Sequence, residues 1–249
     1  MSFRKIKKIT KLYNYEFVHL KSTTSTMFDI KRYLKNKNRN FIILADQQTK
    51  GKGRRGNSWY SPKGNIYCSI SFNNFLDRKD HFLFSMLIAV SIKNSLEKLN
   101  VRDIKFKWPN DLFFENKKFS GIISEIFNIN QLNSYIIVSF GINITSSPEL
   151  KRYSTTYVKT FCKIQSISFF LLIFYEILFL NLNHLKENNK KKLILQFKDS
   201  LMFVDEKIKI KLNNNVKITG IFRGINNDGS LRLENNNKIS SLYNGTIEL

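Results

Sequence analysis

The stretch ADQQTKGKGRRGNSW, from Ala45 to Trp59, concentrates residues suited to binding a small anionic ligand. Its glycines expose backbone N–H groups at close range, and the ammonium and guanidinium groups between them neutralise phosphate or carboxylate charge. Gln48 can both donate to and accept from an amide-like or ureido group, and Trp59 offers an apolar wall or a stacking face. We therefore predict that this segment, which we call the glycine loop, covers a small ligand and an adjacent phosphate.

The letters from Gly51 to Gly56 also match the dinucleotide fingerprint GxGxxG, and Asp77 lies near the distance expected for a ribose-binding acid. That fingerprint needs a helix that begins in the loop, so that its N-terminus meets the pyrophosphate. Pro62 and Gly64 follow instead and break any helix. The pattern therefore argues against dinucleotide binding, and the absence of GK[ST] argues against a Walker A loop.

A second polar cluster follows a short predicted strand. The run Lys107 to Asp111 is KWPND, and Lys118 to Gly121 with Glu125 comes shortly after it. An amine, an amide and a carboxylate brought together by a turn and a hairpin could hold a nucleotide phosphate, its magnesium and an incoming nucleophile. Taken singly, each of these residues is more typical of a polar surface.

Composition limits the class of protein. A net charge of +22 is compatible with nucleic-acid or membrane-surface binding, but the lysines are spread along the chain rather than clustered on one element. Cys68 and Cys162 lack the spacing of a zinc site or a disulfide framework. The basic N-terminal residues lack the apolar segment of a signal peptide, so we expect a cytoplasmic protein.

Hydrophobic periodicity predicts the elements that position these residues. Strands are predicted at residues 15–20, 41–45, 65–72, 104–108 and 135–144, and a hairpin is predicted around the turn at 115–118. Helices are predicted at 26–35, begun by Ser25 or Thr24, and at about 81–99, with Asp80 as a candidate cap.

The apolar residues 167–182 contain Glu176 and fall short of the ~20 uncharged residues of a membrane span, so a buried helix is predicted. From residue 201 onward, short strands alternate with Asn-rich turns, which predicts a separate small β-barrel or sheet. The expected fold is α+β, with domains at 1–200 and 201–249.

The motifs together resemble those of biotin protein ligases. The matching pieces occur in family order: Ser25-Thr26 before a helix, Gln48-Thr49 leading into GKGRRGNSW, KWPND, KKFSGIISE, Gly141-Ile142-Asn143 and, near the C-terminus, FRGINNDGSLRLE. The resemblance implies a class II synthetase-like catalytic domain with a mixed, largely antiparallel sheet, followed by a small C-terminal β-barrel.

The resemblance also implies a two-step reaction that uses ATP, Mg²⁺ and biotin. Biotin would become biotinyl-5′-adenylate and would then pass to a lysine of the biotin carboxyl carrier protein of acetyl-CoA carboxylase. The implied catalytic residues are Lys118, Arg54 and Asp111, with Asp111 also a metal ligand. The implied biotin contacts are Ser25, Thr26, Gln48, Gly51, Lys52 and Gly121. The implied nucleotide contacts are Arg54, Arg55, Trp59, Lys107, Asn110 and Asn143.

Two features depart from the family pattern. Lys52 stands where an arginine is usual, and Asn57 stands where another basic residue is common, which weakens bidentate phosphate contact there. Some relatives carry an N-terminal DNA-binding domain of roughly sixty residues, of the helix-turn-helix type. Only about twenty residues precede Ser25. We therefore expect a ligase with no specific DNA and no membrane partner, either monomeric or homodimeric.

Two rival functions stay open at this point. A lipoate or octanoate ligase of the same fold would share the motifs. A basic nucleic-acid-binding protein would instead show salt-sensitive DNA binding that is independent of Lys118 and Arg54.

Overall fold

The first sheet has seven strands in the order β1-β2-β3-β7-β6-β5-β4. In this computed structural model, which describes residues 3–37, 39–73, 81–130, 134–150, 153–187, 189–212 and 216–248, the strands are β1 (Tyr15–Leu20), β2 (Asn40–Ala45), β3 (Ile66–Asn73), β4 (Lys105–Lys107), β5 (Asp111–Phe114), β6 (Lys117–Asn128) and β7 (Ser134–Ile142). Only β1 and β2 pair in parallel, and the other neighbours are antiparallel. The predicted α+β fold with a mixed, largely antiparallel sheet is confirmed.

Five α-helices of the described residues cover the two faces of this sheet unequally. They are α1 (Arg4–Leu12), α2 (Thr26–Asn36), α3 (Phe82–Glu97), α4 (Ile167–Lys186) and α5 (Lys190–Lys198). The apolar side of α2 packs on one face, where Ile30 and Leu34 meet Phe41 and Ile43. We call this the loop face, because the glycine loop lies on the same side. The larger core, which α1, α3, α4 and α5 share, lies on the opposite face.

The glycine loop joins β2 to β3 without a following helix. Its only helical part within the described residues is the single 3₁₀ turn Arg54–Gly56, and the chain then runs into β3. The expectation that no helix begins in this loop, on which the argument against dinucleotide binding rests, is therefore confirmed. The two acids considered in that context, Asp77 and the candidate helix cap Asp80, lie outside the described residues.

The helix α4 is longer than the predicted 167–182, because it continues to Lys186. By length and composition, it is the one helix of the described residues that could cross a membrane. Many of its large side chains are nevertheless buried in the protein, among them Phe170, Phe174 and Leu178. This burial, rather than the short length expected from the sequence, assigns α4 to the core.

The C-terminal segment forms a separate five-stranded antiparallel sheet in the order β11-β10-β9-β8-β12. Its strands are β8 (Lys207–Lys211), β9 (Lys217–Ile225), β10 (Leu231–Asn235), β11 (Lys238–Leu242) and β12 (Thr246–Ile247). This is the expected small β-barrel. The indole Nε1 of Trp108 donates a hydrogen bond of 3.0 Å to the carbonyl of Gly229, between β9 and β10. The two sheets are thus joined through a buried contact.

Candidate active site

A row of directly paired residues crosses all seven strands of the first sheet on its loop face. In strand order these residues are Leu20, Ala45, Tyr67, Gly141, Gly121, Asp111 and Lys107. Directly paired residues on neighbouring strands point to the same face, so the row forms a continuous strip across that face of the sheet. The two glycines at its centre form a flat floor, with a carboxylate and an ammonium group immediately to one side.

The indole of Trp59 rests directly on this glycine floor. A Cβ atom built on Gly121 would lie 3.0 Å from Trp59 Cζ3, and one built on Gly141 would overlap the indole nitrogen. Only glycine at both positions allows the ring to approach the backbone so closely. Within the described part of the chain, the buried Trp59 Nε1 has no hydrogen-bond partner. The loop therefore delivers an aromatic face and an unused N–H group to the floor.

Three neighbours hold the ammonium group of Lys118 beside the floor. Its Nζ lies 2.7 Å from Asp111 Oδ1, and it lies 5.4 Å from the centre of the Trp59 ring and 5.3 Å from that of Tyr153. Both ring distances are within cation–π range. The Lys118 backbone also pairs with the segment of Tyr153, because Lys118 N donates to Ser154 O at 2.9 Å. Tyr153 was not among the predicted site residues.

A second ammonium group, that of Lys107, lies at the end of the same row and is buried. Burial lowers the pKa of Lys107 to about 8, the Asp111 carboxylate opposes the shift, and the Lys118 charge adds to it. Two ammonium groups thus share one carboxylate in a partly enclosed site. The excess positive charge makes this end of the row suited to a phosphate or carboxylate ligand.

The amide of Gln48 links the glycine loop to the start of α2. Its Oε1 accepts from the backbone N–H of Thr26 at 2.9 Å, and its Nε2 donates to Ser61 Oγ at 3.1 Å. Ser25 is the N-cap residue of α2, although no described backbone N–H donates to its hydroxyl. A side chain at Gly51 would overlap the Trp59 carbonyl and the Ser61 hydroxyl. The loop is therefore tightly folded around its own backbone at this end.

The two arginines of the loop reach the C-terminal sheet. Arg54 Nη1 donates to the carbonyl of Gly245 and to Asn110 Oδ1, each at 3.3 Å, and Arg55 Nη1 donates to the carbonyl of Lys211 at 3.1 Å. Burial lowers the pKa of Arg54, and the nearby Asp111 carboxylate opposes this shift. The loop thus spans from one sheet to the other.

An open cleft of about 340 Å³ adjoins the loop. It is bordered by α2, β6 and the loop, and its lining residues are Met27, Phe28, Lys31, Lys52, Gly53, Arg54, Arg55, Ile123, Ser124 and Glu125. Lys52 is exposed and contributes to this cleft rather than to the row of paired residues. The prediction that Lys52 takes part in ligand binding stays a prediction.

Asn143 follows the end of β7 and is buried. Its backbone N–H donates to the carbonyl of Phe119 at 2.8 Å, and its Nδ2 donates to the carbonyl of Thr156 at 3.2 Å. Its Oδ1 has no hydrogen-bond partner among the described residues. A buried amide oxygen without a partner is costly unless a ligand donates to it, so this atom is a candidate contact for an amino or amide N–H.

The structure brings the predicted residues together in three groups. Trp59, Lys107, Asp111, Lys118 and Gly121 meet along the glycine floor. Thr26 and Gln48 meet at the loop base, and Arg54 joins Asn110. No group of three or more His, Cys, Asp or Glu side chains that could hold a metal occurs in the described residues.

Comparison with known proteins identifies relatives of both parts of this chain. Residues 17–143 match the Biotin/lipoate A/B protein ligase family, and residues 204–249 match the Biotin protein ligase C terminal domain. The chain belongs to this ligase family. A solved structure titled "Biotin protein ligase from Aquifex aeolicus in complex with biotin and ATP" superposes with a TM-score of 0.78 at 26% identity, over 94% of this chain and 97% of that one.

Curated relatives agree with this family. The Bifunctional ligase/repressor BirA of Salmonella typhimurium is 26% identical over 211 residues, which are 83% of this chain and 65% of the relative. The protein of the same name from Bacillus subtilis is 25% identical over 225 residues, 84% of this chain and 66% of the relative. The chain therefore spans about two thirds of the length of these two ligase family members.

Proposed function

We propose that the protein is an ATP-dependent ligase that activates biotin as biotinyl-5′-adenylate and transfers it to a lysine of a biotin carboxyl carrier protein. The observation that carries the proposal is the placement of Lys118, which lies beside the glycine floor between Asp111 and two aromatic rings. The biotin and ATP named in the Aquifex complex support the choice of substrates.

In the first step, the biotin carboxylate attacks the α-phosphorus of ATP, and pyrophosphate leaves. Negative charge grows on the phosphate oxygens, so fixed cations beside them lower the barrier. Lys118 supplies such a cation at the floor, and the buried Lys107 adds a second. Asp111 holds Lys118 beside the floor until the substrates arrive.

Biotin binding is assigned to the base of the glycine loop. Thr26 and Gln48 hold polar groups in fixed positions there, and Ser25 lies beside them as the buried N-cap residue. Gly51 lets the loop backbone approach closely. These groups suit the ureido ring, and we place the chain that leads to the carboxylate beside Gly121, next to the Trp59 ring that covers the floor.

Nucleotide binding is assigned to the aromatic and amide groups at the other end of the floor. Trp59 offers a ring face for stacking, and its unused N–H can donate. The free Oδ1 of Asn143 can accept from the amino group of adenine. Arg54 and Arg55 hold the loop over the intermediate by reaching the second sheet.

In the second step, the acceptor lysine attacks the activated acyl carbon, and AMP leaves. Asp111 is the carboxylate paired with Lys118 on this face and would orient or deprotonate that amine once Lys118 has turned to the phosphates. We place the catalytic domain at residues 1–200 and the C-terminal domain at 201–249. A cytoplasmic location, and a monomer or homodimer without specific DNA binding, complete the proposal.

Mg²⁺ is implied by the family, and the donor set of this chain bears on how it would bind. Among the described residues of the transverse row, Asp111 is the one carboxylate, and it is paired with Lys118. Mg²⁺ usually binds through one or two carboxylates together with substrate phosphates. We infer that the metal would reach the site on the ATP phosphates, where it neutralises charge, and no proposed step depends on a metal held by the protein alone.

The decisive experiment measures biotin-dependent ATP–pyrophosphate exchange, followed by transfer of labelled biotin to a carrier domain. We expect both activities with magnesium, and we expect excess lipoate not to compete. Absence of exchange and transfer would overturn the proposal. Exchange driven by lipoate or octanoate instead of biotin would favour the related ligase of the same fold.

A further inference from the structure

A single line of hydrogen bonds connects the centre of the sheet to the glycine loop. Ser139 on β7 and Ser69 on β3 are directly paired, and their hydroxyl oxygens are 2.6 Å apart. Further bonds link Ser69 to Thr26 at 2.8 Å, Thr26 to Gln48 at 3.2 Å, Gln48 to Ser61 at 3.1 Å and Ser61 to the Trp59 carbonyl at 2.8 Å. We call this line the hydroxyl relay.

The direction of every bond in the hydroxyl relay can be determined from one backbone group. The N–H of Thr26 can only donate, and it donates to Gln48 Oε1 at 2.9 Å. This fixes the orientation of the Gln48 amide, so the Thr26 hydroxyl must also donate to that oxygen. A hydroxyl has one hydrogen, so Ser69 must donate to Thr26, and Ser139 must donate to Ser69.

The relay therefore leaves Ser139 with acceptor capacity only. Its one hydrogen is committed to Ser69, while its oxygen receives no hydrogen bond within the described residues. Ser139 lies two residues before Gly141 on β7, so both side chains point to the loop face, beside the glycine floor. The Ser139 hydroxyl oxygen can therefore accept a further hydrogen bond from a donor on the loop face.

We propose that Ser139 is a specificity-determining residue that accepts a hydrogen bond from a ring N–H of the biotin ureido group. The inference rests on the proposed function, because it assigns an atom of that substrate. A cyclic urea carries two N–H donors, whereas the dithiolane ring of lipoate carries none. The Ser139 oxygen, which can only accept a hydrogen bond, therefore favours the biotin ring. Binding of the lipoate ring would leave this buried oxygen without a partner, which lowers the affinity.

The test uses biotin and two analogues, in each of which one ureido N–H is replaced by a ring oxygen. Affinities are measured by titration calorimetry for the wild type, for Ser139→Ala and for the control Ser71→Ala. Ser71, on β3, is buried like Ser139, and within the described residues its hydroxyl bonds only to the backbone of Phe41. In Ser139→Ala the other relay bonds persist, because each donor points away from Ser139.

We expect Ser139→Ala to bind biotin about tenfold more weakly than the wild type, as loss of one hydrogen bond implies. For the wild type, we expect one of the analogues to bind about tenfold more weakly than biotin. That same analogue should have equal affinities for the wild type and for Ser139→Ala. Ser71→Ala should keep the wild-type affinity for all three ligands.

The outcomes separate the inference from the proposed function. If the wild type does not bind biotin at all, the proposed function fails and the inference with it. If the wild type binds both analogues as tightly as it binds biotin, the inference alone is overturned. That comparison needs no variant. Full retention of biotin affinity by folded Ser139→Ala would overturn it as well.

Discussion

The guanidinium of Arg54 donates a hydrogen bond of 3.3 Å to the carbonyl of Gly245, which immediately precedes β12 of the C-terminal sheet, 191 residues further along the chain. The same group donates to Asn110 Oδ1 on the catalytic side, and Arg55 reaches the Lys211 carbonyl. The glycine loop is therefore held by both sheets. Its retention of a bound intermediate should depend on the C-terminal sheet as well as on the loop itself.

Arg54→Gly should release the adenylate faster while slowing its formation less. Loss of hydrogen bonds from a charged donor implies about a tenfold faster release. The measurement is the dissociation rate of preformed labelled biotinyl-adenylate, compared with the rate of its formation. Arg55→Gly is the matched control, because Arg55 is exposed and its side chain donates to a single carbonyl in the part of the chain that the structure describes. Its effect should be smaller. An unchanged release rate in Arg54→Gly would remove Arg54 from this role.

Lys118→Met should abolish most of the adenylation activity while the protein stays folded. Removing one preorganised charge donor typically lowers the rate about 10²-fold to 10³-fold. The measurement is biotin-dependent ATP–pyrophosphate exchange at saturating substrate. The neighbouring Lys117→Met removes an equal charge from an exposed position on the same strand and should retain activity. Equal activities of the two variants would contradict the catalytic assignment of Lys118.

The buried Lys107 should make stability rise with pH in the alkaline range. Its folded pKa is about 8, whereas an unfolded lysine has a pKa of about 10.4. Below about pH 8 both states are protonated and the cost of burying the charge is fully present. Between these values the unfolded chain binds more protons than the folded one, so the free energy of unfolding increases with pH.

Urea unfolding of the wild type and Lys107→Met, at several pH values between about 7 and 10, tests this expectation. The stability of the wild type relative to the variant should increase over that range. Lys105→Met, at an exposed position on the same strand, should follow the wild type. Parallel pH profiles for the wild type and Lys107→Met would show that Lys107 titrates normally in the folded state.

Gly141→Ala should displace Trp59 from the floor, because a Cβ atom there overlaps the indole. We expect a shift in tryptophan fluorescence and a fall in adenylation of at least about tenfold, as misplacement of a contact at a reacting centre can cost up to 10²-fold. In a Trp59→Ala background, the added methyl group should have little further effect. Additive losses in the double variant would indicate that the floor acts independently of the ring.

Much of the fold follows from local patterns. The strand at 15–20 was predicted with its observed bounds, because β-branched and aromatic residues there end at a polar turn. The helix α1 was not predicted, because its apolar positions are few among lysines, and it is the packing of Ile6 in the core that stabilises it. The strand β3 is buried on both faces, so polar serines at alternate positions do not mark solvent there.

The site was less predictable than the fold. Trp59, Lys118 and Gly121 stand out in motifs, but their contact depends on strand register that no local pattern gives. Tyr153 lies in a segment without a diagnostic motif and reaches Lys118 only through backbone pairing with β6. The buried serines of the hydroxyl relay look like ordinary strand residues until the strands are aligned.

The transverse row of seven paired residues has a consequence for how this chain tolerates change. Its members come from seven strands, and the chemistry requires Gly121, Gly141 and Asp111 to stand in one line. A one-residue insertion or deletion within β5, β6 or β7 would turn every following side chain of that strand to the other face. Bulky residues such as Ile122 and Phe140 would then occupy the floor. Changes in length inside these strands should therefore be more damaging than most single substitutions, even where every site residue is retained.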